Sequence, residues 1–262
     1  SRSISIIAVV IFGLLFGIAS LLVSQEDANH KDRILGFIET SQAVVMRLVK
    51  MVMSLTPYGV LALMTRVMST SDFDAILTLI NFLLASYVAI AIMFVIHSLI
   101  ILLLGVNIGS YFKKVWPVLT FAFVTRSSAA TIPLTIRAQI EELKIPAPIA
   151  NIAASFGATI GQNGCAGVYP AMLAIMVAPS VGVEVDLSFV AYLVLVIAIG
   201  SFGIAGVGGG ATNAALVVLP LMGLPVTVAA LLITVEPMID MARTALNVNG
   251  AIATGMVTSR FV

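Results

Sequence analysis

Forty-nine consecutive residues, Leu187–Val235, carry no formal charge, and this constrains the chain more than any other feature. A folded domain in water must cover its core with polar and charged side chains, and a stretch of this length cannot supply them. Two further stretches, Ala75–Phe112 and Ile145–Val183, are also free of Asp, Glu, Lys and Arg. Only 10% of the 262 residues are charged and 60% are hydrophobic, against about 25% and 45–50% in soluble domains. The chain therefore reads as an integral, multi-pass protein of the cell membrane. Thirteen Lys and Arg against twelve Asp and Glu leave a net charge of +1, so no global field favours a nucleic-acid partner. A single cysteine, Cys165, excludes an intrachain disulfide framework and a cysteine-rich metal site.

The charges punctuate the chain. Ile4–Val23 has spanning length, is too long for a signal peptide, and ends in a predicted polar loop, Gln25–Arg33. Because the sequence opens on Ser1, it is expected to belong to a longer protein. Ile34–Met68 is helical in pattern, with Arg47, Lys50 and Arg66 snorkelling toward an interface and a kink at Pro57. Three breaks follow. Phe121–Pro133 (FAFVTRSSAATIP) reads either as a hairpin dipping into the membrane or as an ordinary interfacial loop. Gly157–Gly167 and Gly200–Gly210 are dense in glycine. Single glycines serve close helix packing, but clusters of them break helical hydrogen bonding. Broken backbone at membrane depth is tolerated only where protein buries it or a wet cavity receives it, so two broken segments point to a binding site near the midplane.

The longest uncharged stretch ends in a cluster of charge. Glu236, Asp240, Arg243 and Asn247 fall at i, i+4, i+7 and i+11, with Thr244 four after Asp240, so a helix presents them on one face. Charges within a bilayer face one another or a cavity. One reading is a structural Asp240–Arg243 pair. The other is a pocket for a zwitterion, in which Asp240 accepts from an ammonium, Thr244 and Asn247 bond the amino-acid head, and Arg243 takes a carboxylate bidentately. Enzyme readings are weak. No HExxH motif occurs, only His30 and His97 supply imidazoles, and Ser127 and Ser128 have no base nearby in sequence. A ligand-gated or anion-conducting pore is the alternative from another class.

The strings TRSSAATIP, GATIGQNGCAGVYPA, SFGIAGVGGGA and EPMIDMARTALNVNG, in that order, resemble the transport core of the dicarboxylate/amino acid:cation symporters, the glutamate-transporter homologues. The GQNGCAG and EPMIDMARTALN forms are closest to the L-cystine uptake branch. The resemblance implies an all-α membrane fold with two re-entrant helical hairpins and broken transmembrane helices, working as a homotrimer by an elevator motion. Residues 1–68 would be later scaffold helices, the family's N-terminal helices being absent. Residues 69–262 would be the transport core: hairpin 1 at about 115–142, a broken seventh helix at about 148–180, hairpin 2 at about 188–224 and the eighth helix at about 226–259.

By the same resemblance Asp240, Arg243, Thr244, Asn247, Ser127, Ser128, Cys165, Val207, Gly208 and Gly210 line the substrate site. Cys165 also reads as a small packing residue. The substrate is expected to be L-cystine, with glutamate or aspartate as the competing choice. No cofactor is implied beyond a coupling ion, Na+ or H+. The family's ion-binding NMDGT string stands here as Gly161-Gln162-Asn163-Gly164-Cys165, and the aspartate that ends its eighth-helix site is Ala251. Sodium sites at Thr159, Gly161, Asn163, Ser201 and Asn247 are thereby weakened, and Glu236 and Asp240 are the candidate proton carriers.

Overall fold

The computed structural model describes residues 6–54, 58, 61–62, 65, 69, 73–204, 206, 209–232 and 235–262. Pro57, Arg66, Met68, Val207 and Gly208 lie outside them, so the expected kink and two of the expected substrate contacts are not described. Every regular element among the described residues is helical. The chain divides into two compact units, Ser1–Arg66 and Val67–Val262.

The first unit pairs α1 (Ile6–Glu26) with α2 (Ala28–Met53). The expected polar loop at Gln25–Arg33 shrinks to one residue, Asp27, whose side chain accepts the Asn29 N–H at 2.8 Å. Polarity alone had suggested a loop. The segment holds neither Gly nor Pro, and one capping carboxylate is enough to restart the helix.

The second unit begins with α3 (Phe73–Leu103), the longer of two described helices with the length and apolar composition of a span; the other covers Asn163–Val181. Leu84, Val88, Ile92, Val95 and Leu99 form an exposed apolar stripe along α3. Then α4 (Ile108–Thr125), begun by the Asn107 side chain accepting Ser110 N–H, starts earlier than the expected residue 115. It stops where Arg126 turns to φ 51°, a left-handed conformation that ends helices. Ser127 accepts Ala130 N–H at 3.1 Å and starts α5 (Ser128–Arg137), which continues as a π-helical turn to Glu142. The two helices pack together as a hairpin with its tip at Arg126–Ser127.

The chain returns as α6 (Ala147–Gly157), then loses its helical register. The N–H groups of Thr159, Ile160 and Gly161 all crowd onto the Phe156 carbonyl. A π-helical turn, Asn163–Val168, leads into α7 (Tyr169–Val177). A second broken pair follows. Asp186 caps α8 (Leu187–Gly200) by accepting Phe189 N–H at 2.7 Å, and α9 (Gly210–Leu221) begins after Gly209 at φ 85°. A short helix, α10 (Thr227–Leu232), precedes α11 (Glu236–Thr258). The single helix expected from about 226 therefore starts at Glu236 instead, with Pro237 in its first turn, where a missing N–H costs nothing.

The centre of this unit is α11, which packs on α3, α4, α5, α6 and the π-helical turn at Asn163–Val168. Ile239, Ala242 and Leu246 join one apolar cluster, with Leu173, Phe189 and Leu219. Val248, Ile252 and Met256 join a second, with Tyr111, Val115 and Ile145. Between these halves lie Arg243, Thr244, Asn247 and Asn249, all buried. A buried polar belt of this kind is stable only if its groups find partners.

Candidate functional site

Three backbone breaks meet beside α11. Gly206, from the α8–α9 break, accepts the Ala129 N–H at 3.0 Å and the Ser127 hydroxyl at 3.3 Å, both from the α4–α5 tip. A Cβ at Gly206 would overlap the Ala158 carbonyl oxygen of the α6–α7 break and come 3.0 Å from Ser128 Cβ. Gly164 approaches α11 as closely: a Cβ there would sit 3.0 Å from the Arg243 carbonyl oxygen and 3.1 Å from Asn247 Oδ1. Glycine at these two positions is required by contact with neighbouring backbone.

Asn247 joins the α6–α7 break to α11. Its Oδ1 accepts the Gly164 N–H at 2.6 Å, and its Nδ2 donates to Gln162 Oε1 at 2.9 Å and faces Cys165 Sγ at 3.1 Å. Gln162 in turn donates to the Gly157 carbonyl at 2.9 Å. Cys165 Sγ lies 3.8 Å from Asp240 Oδ1, which connects the thiol to the charged face.

On that face Glu236, Asp240 and Arg243 are 5%, 1% and 1% exposed. Arg243 Nη2 donates to Glu236 Oε1 and lies 3.7 Å from Asp240 Oδ1. Arg243 therefore pairs with Asp240 at i−3, as one reading expected, and more closely with Glu236 at i−7; both carboxylates share its face, so spacing alone did not rank them. The guanidinium lies over the Tyr169 ring, 4.5 Å from its centroid, a cation–π contact. Arg243 Nε and Nη1, Asp240 Oδ2 and Ser128 Oγ are buried without a hydrogen-bond partner among the described residues. Unpaired buried donors and acceptors cost about 1–3 kcal/mol each and more when charged, so the cluster has unfilled bonding capacity of both signs. An ammonium matches Asp240 Oδ2, and a carboxylate matches Arg243 Nε and Nη1.

The structure thus brings together Glu236, Asp240, Arg243, Asn247 and Cys165. Thr244 and Gly210 are buried; Ser127 stands at the tip and bonds Gly206, and Ser128 follows it as the first residue of α5. The residues expected to hold sodium are less convergent. Gly161, Asn163 and Ser201 line a cavity of about 680 Å³ that excludes Thr159 and Asn247. Thr159 and Ser201 hydroxyls donate to the Ser155 and Ala198 carbonyls, and Asn163 and Asn247 Oδ1 both accept Gly164 N–H. Hard cations prefer several free oxygen ligands. This set supplies hydroxyl, amide and backbone oxygens but no carboxylate. That cavity also excludes Asp240 and Arg243, and its wall is mostly apolar. The unpaired charged atoms mark the site better than the larger space does.

One network escaped the sequence. His97, one of the two imidazoles in the sequence, faces Asn163 Nδ2 at 2.8 Å on Nε2 and Asn249 Nδ2 at 3.1 Å on Nδ1, while the Tyr111 hydroxyl donates to Asn249 Oδ1 at 2.7 Å. Its partners are 66 and 152 residues away. The available signal was isolated asparagines in apolar runs.

The chain is 56% identical over 259 residues to an "Uncharacterized symporter" of Haemophilus influenzae, covering 98% of the chain and 59% of that protein. It is 54% identical over 263 residues to "L-cystine uptake protein TcyP" of Bacillus anthracis (100% and 57%) and 52% identical over 261 residues to the protein of that name from Bacillus licheniformis (99% and 56%). The chain therefore spans rather more than half the length of these relatives. The model of the sodium:dicarboxylate symporter family matches residues 2–261, and the chain belongs to that family.

Proposed function

We propose that residues 69–262 of this chain form the transport core of a multi-pass secondary transporter that takes up L-cystine across the cell membrane in symport with a cation. The observation that carries this reading is the set of unpaired atoms on α11. Asp240 Oδ2 and Arg243 Nε and Nη1 offer one anionic and one cationic seat within a buried cluster. The matching relatives named for L-cystine uptake support that substrate. In this reading Asp240, Thr244 and Asn247 hold one amino-acid head, and Arg243 meets the carboxylate of the other. Ser127 and Ser128 close the site from the α4–α5 hairpin. The Gly206–Gly210 segment, including Val207 and Gly208, closes it from the α8–α9 break.

The two hairpins are re-entrant in this proposal, the protein is a homotrimer, and the core moves as an elevator against a scaffold to which residues 1–68 belong. The coupling ion is a proton carried by the Glu236–Asp240 carboxylates. Two buried carboxylates against one guanidinium leave an excess negative charge, and a proton removes it. Glutamate and aspartate form the second reading, because the family description names dicarboxylates and either would satisfy Arg243.

Uptake of labelled L-cystine into liposomes containing the purified protein tests both substrate and ion. Accumulation against a gradient, driven by an inward proton gradient and competed weakly by aspartate and glutamate, is expected. Equilibration without accumulation would make the protein a pore. Stimulation by sodium with indifference to pH would overturn proton coupling, and strong competition by aspartate or glutamate would favour the second reading.

A further inference from the structure

Hydroxyls on the helices of the second unit commonly donate back to the carbonyl one turn earlier. Ser98 donates to Phe94, Thr120 to Trp116, Thr135 to Thr131 and Thr254 to Gly250, at 2.8–3.0 Å, which satisfies them where no water reaches. Ser86 on α3 breaks the pattern. It is 2% exposed, and its Oγ has no hydrogen-bond partner among the described residues. The Tyr169 hydroxyl on α7, also buried, has no partner within hydrogen-bond geometry among them, although Thr212 on α9 interacts with it.

Both hydroxyls line one small pocket bounded by α3, α7 and α11, and Arg243, with Nε and Nη1 unpartnered, lines it too. The pocket is too narrow for a water molecule as it stands, so water does not satisfy these groups. Its wall gives way at one place. Ile90, Val168 and Ile239 are β-branched and stiff. Met172 is unbranched, half-buried and one turn from Tyr169, so a change of its rotamer widens the space without moving backbone.

We propose that this pocket seats the distal ammonium of a two-headed amino acid: with the distal carboxylate on Arg243, Ser86 Oγ and the Tyr169 hydroxyl accept two of the three ammonium N–H groups. This rests on the reading of the α11 cluster as the substrate site. A hydroxyl oxygen accepts while its own hydrogen goes elsewhere, and Thr212 stands ready to take that of Tyr169. Charge favours a cation here. Glu236 and Asp240 already outnumber Arg243, and a distal carboxylate adds a third negative charge, which an ammonium in the adjoining seat offsets.

The seat separates substrates that Arg243 alone does not. Aspartate and glutamate bring a distal carboxylate but no distal ammonium, so they leave both hydroxyls unpaired. A buried site built to bond a polar group discriminates against an analogue that lacks it. Ser86 and Tyr169 are thereby specificity residues for cystine.

The test is equilibrium binding of L-cystine and of the mixed disulfide of cysteine with 3-mercaptopropionate to the purified protein. The second ligand has the same chain length and both carboxylates, and lacks only the distal ammonium. The wild-type protein should bind cystine about tenfold or more tighter. Ser86→Ala should weaken cystine about tenfold and the mixed disulfide by less than about twofold. Tyr169→Phe, which keeps the ring under Arg243, should show the same selectivity, so that if one variant does not fold the other decides. Equal losses for the two ligands would make the hydroxyls structural and overturn the proposal, as would cystine binding unchanged in either variant. Equal affinity of the wild-type protein for both ligands refutes this inference alone. Failure of both to bind refutes the reading of the site, and this inference with it.

Discussion

Asn247→Ala removes the side chain that joins the α6–α7 break to α11. The wild-type amide accepts Gly164 N–H at 2.6 Å and donates to Gln162 Oε1 at 2.9 Å. Gly164 N–H retains Asn163 Oδ1 at 3.0 Å, so that loss is close to one net hydrogen bond, about 1 kcal/mol. Gln162 is buried, and its Oε1 loses the partner that Asn247 supplied, at about 1–3 kcal/mol. The vacated volume adds a further packing cost of about 1 kcal/mol. The total is about 3–5 kcal/mol, equivalent to a fall in the thermal unfolding midpoint of roughly 6–20 °C for a unit of this size. Thermal unfolding of the purified protein in detergent, followed by far-UV circular dichroism, measures it. Asn247→Asp should do no better than Ala, since it keeps the acceptor for Gly164 but sets a buried carboxylate against Gln162 Oε1. A midpoint for Asn247→Ala within about 2 °C of wild type would refute the argument that this amide ties the broken segment down.

Gly206→Ala should cost about 1–3 kcal/mol by overpacking, because its Cβ would overlap the Ala158 carbonyl oxygen. Limited proteolysis should then cut faster near residue 206, and an unchanged rate would count against the close approach of the three breaks. Asp186 is held below the ordinary carboxylate range by the Phe189 N–H and then the Ser188 hydroxyl. Its support for the start of α8 is therefore complete above the unfolded-state carboxylate pKa and is lost as pH falls through the lowered value. Amide exchange at Phe189 should speed up, beyond its intrinsic pH dependence, only on that acid side, and Asp186→Ala should remove the transition.

The charged face of α11 was legible because it depends on one helical period, and residues at i, i+4, i+7 and i+11 share a face whatever surrounds them. The three breaks were legible from glycine density and from the Ser127-Ser128 pair following Arg126. The choice of partner within the face was not. Glu236 and Asp240 are both in reach of Arg243, and Tyr169 beneath the guanidinium fixes where it points. The His97 network was hidden because its bonds cross 66 and 152 residues, and such pairings leave no local pattern. The segment at Gln25–Arg33 misled for the opposite reason. Its polarity is local, but a continuing helix needs only permissive residues and one cap, and Asp27 supplies the cap.

The central claim is that Arg243 receives the second carboxylate of a two-headed amino acid. Equilibrium binding of L-cystine and of S-methylcysteine to the wild-type protein and to Arg243→Gln tests it most directly. The account predicts that cystine loses about a hundredfold or more in affinity, since removing one partner of a buried charged hydrogen bond costs 2–5 kcal/mol or more. S-methylcysteine, which has no second carboxylate, should change by less than about tenfold, or 1.4 kcal/mol. Equal losses for the two ligands would contradict the account.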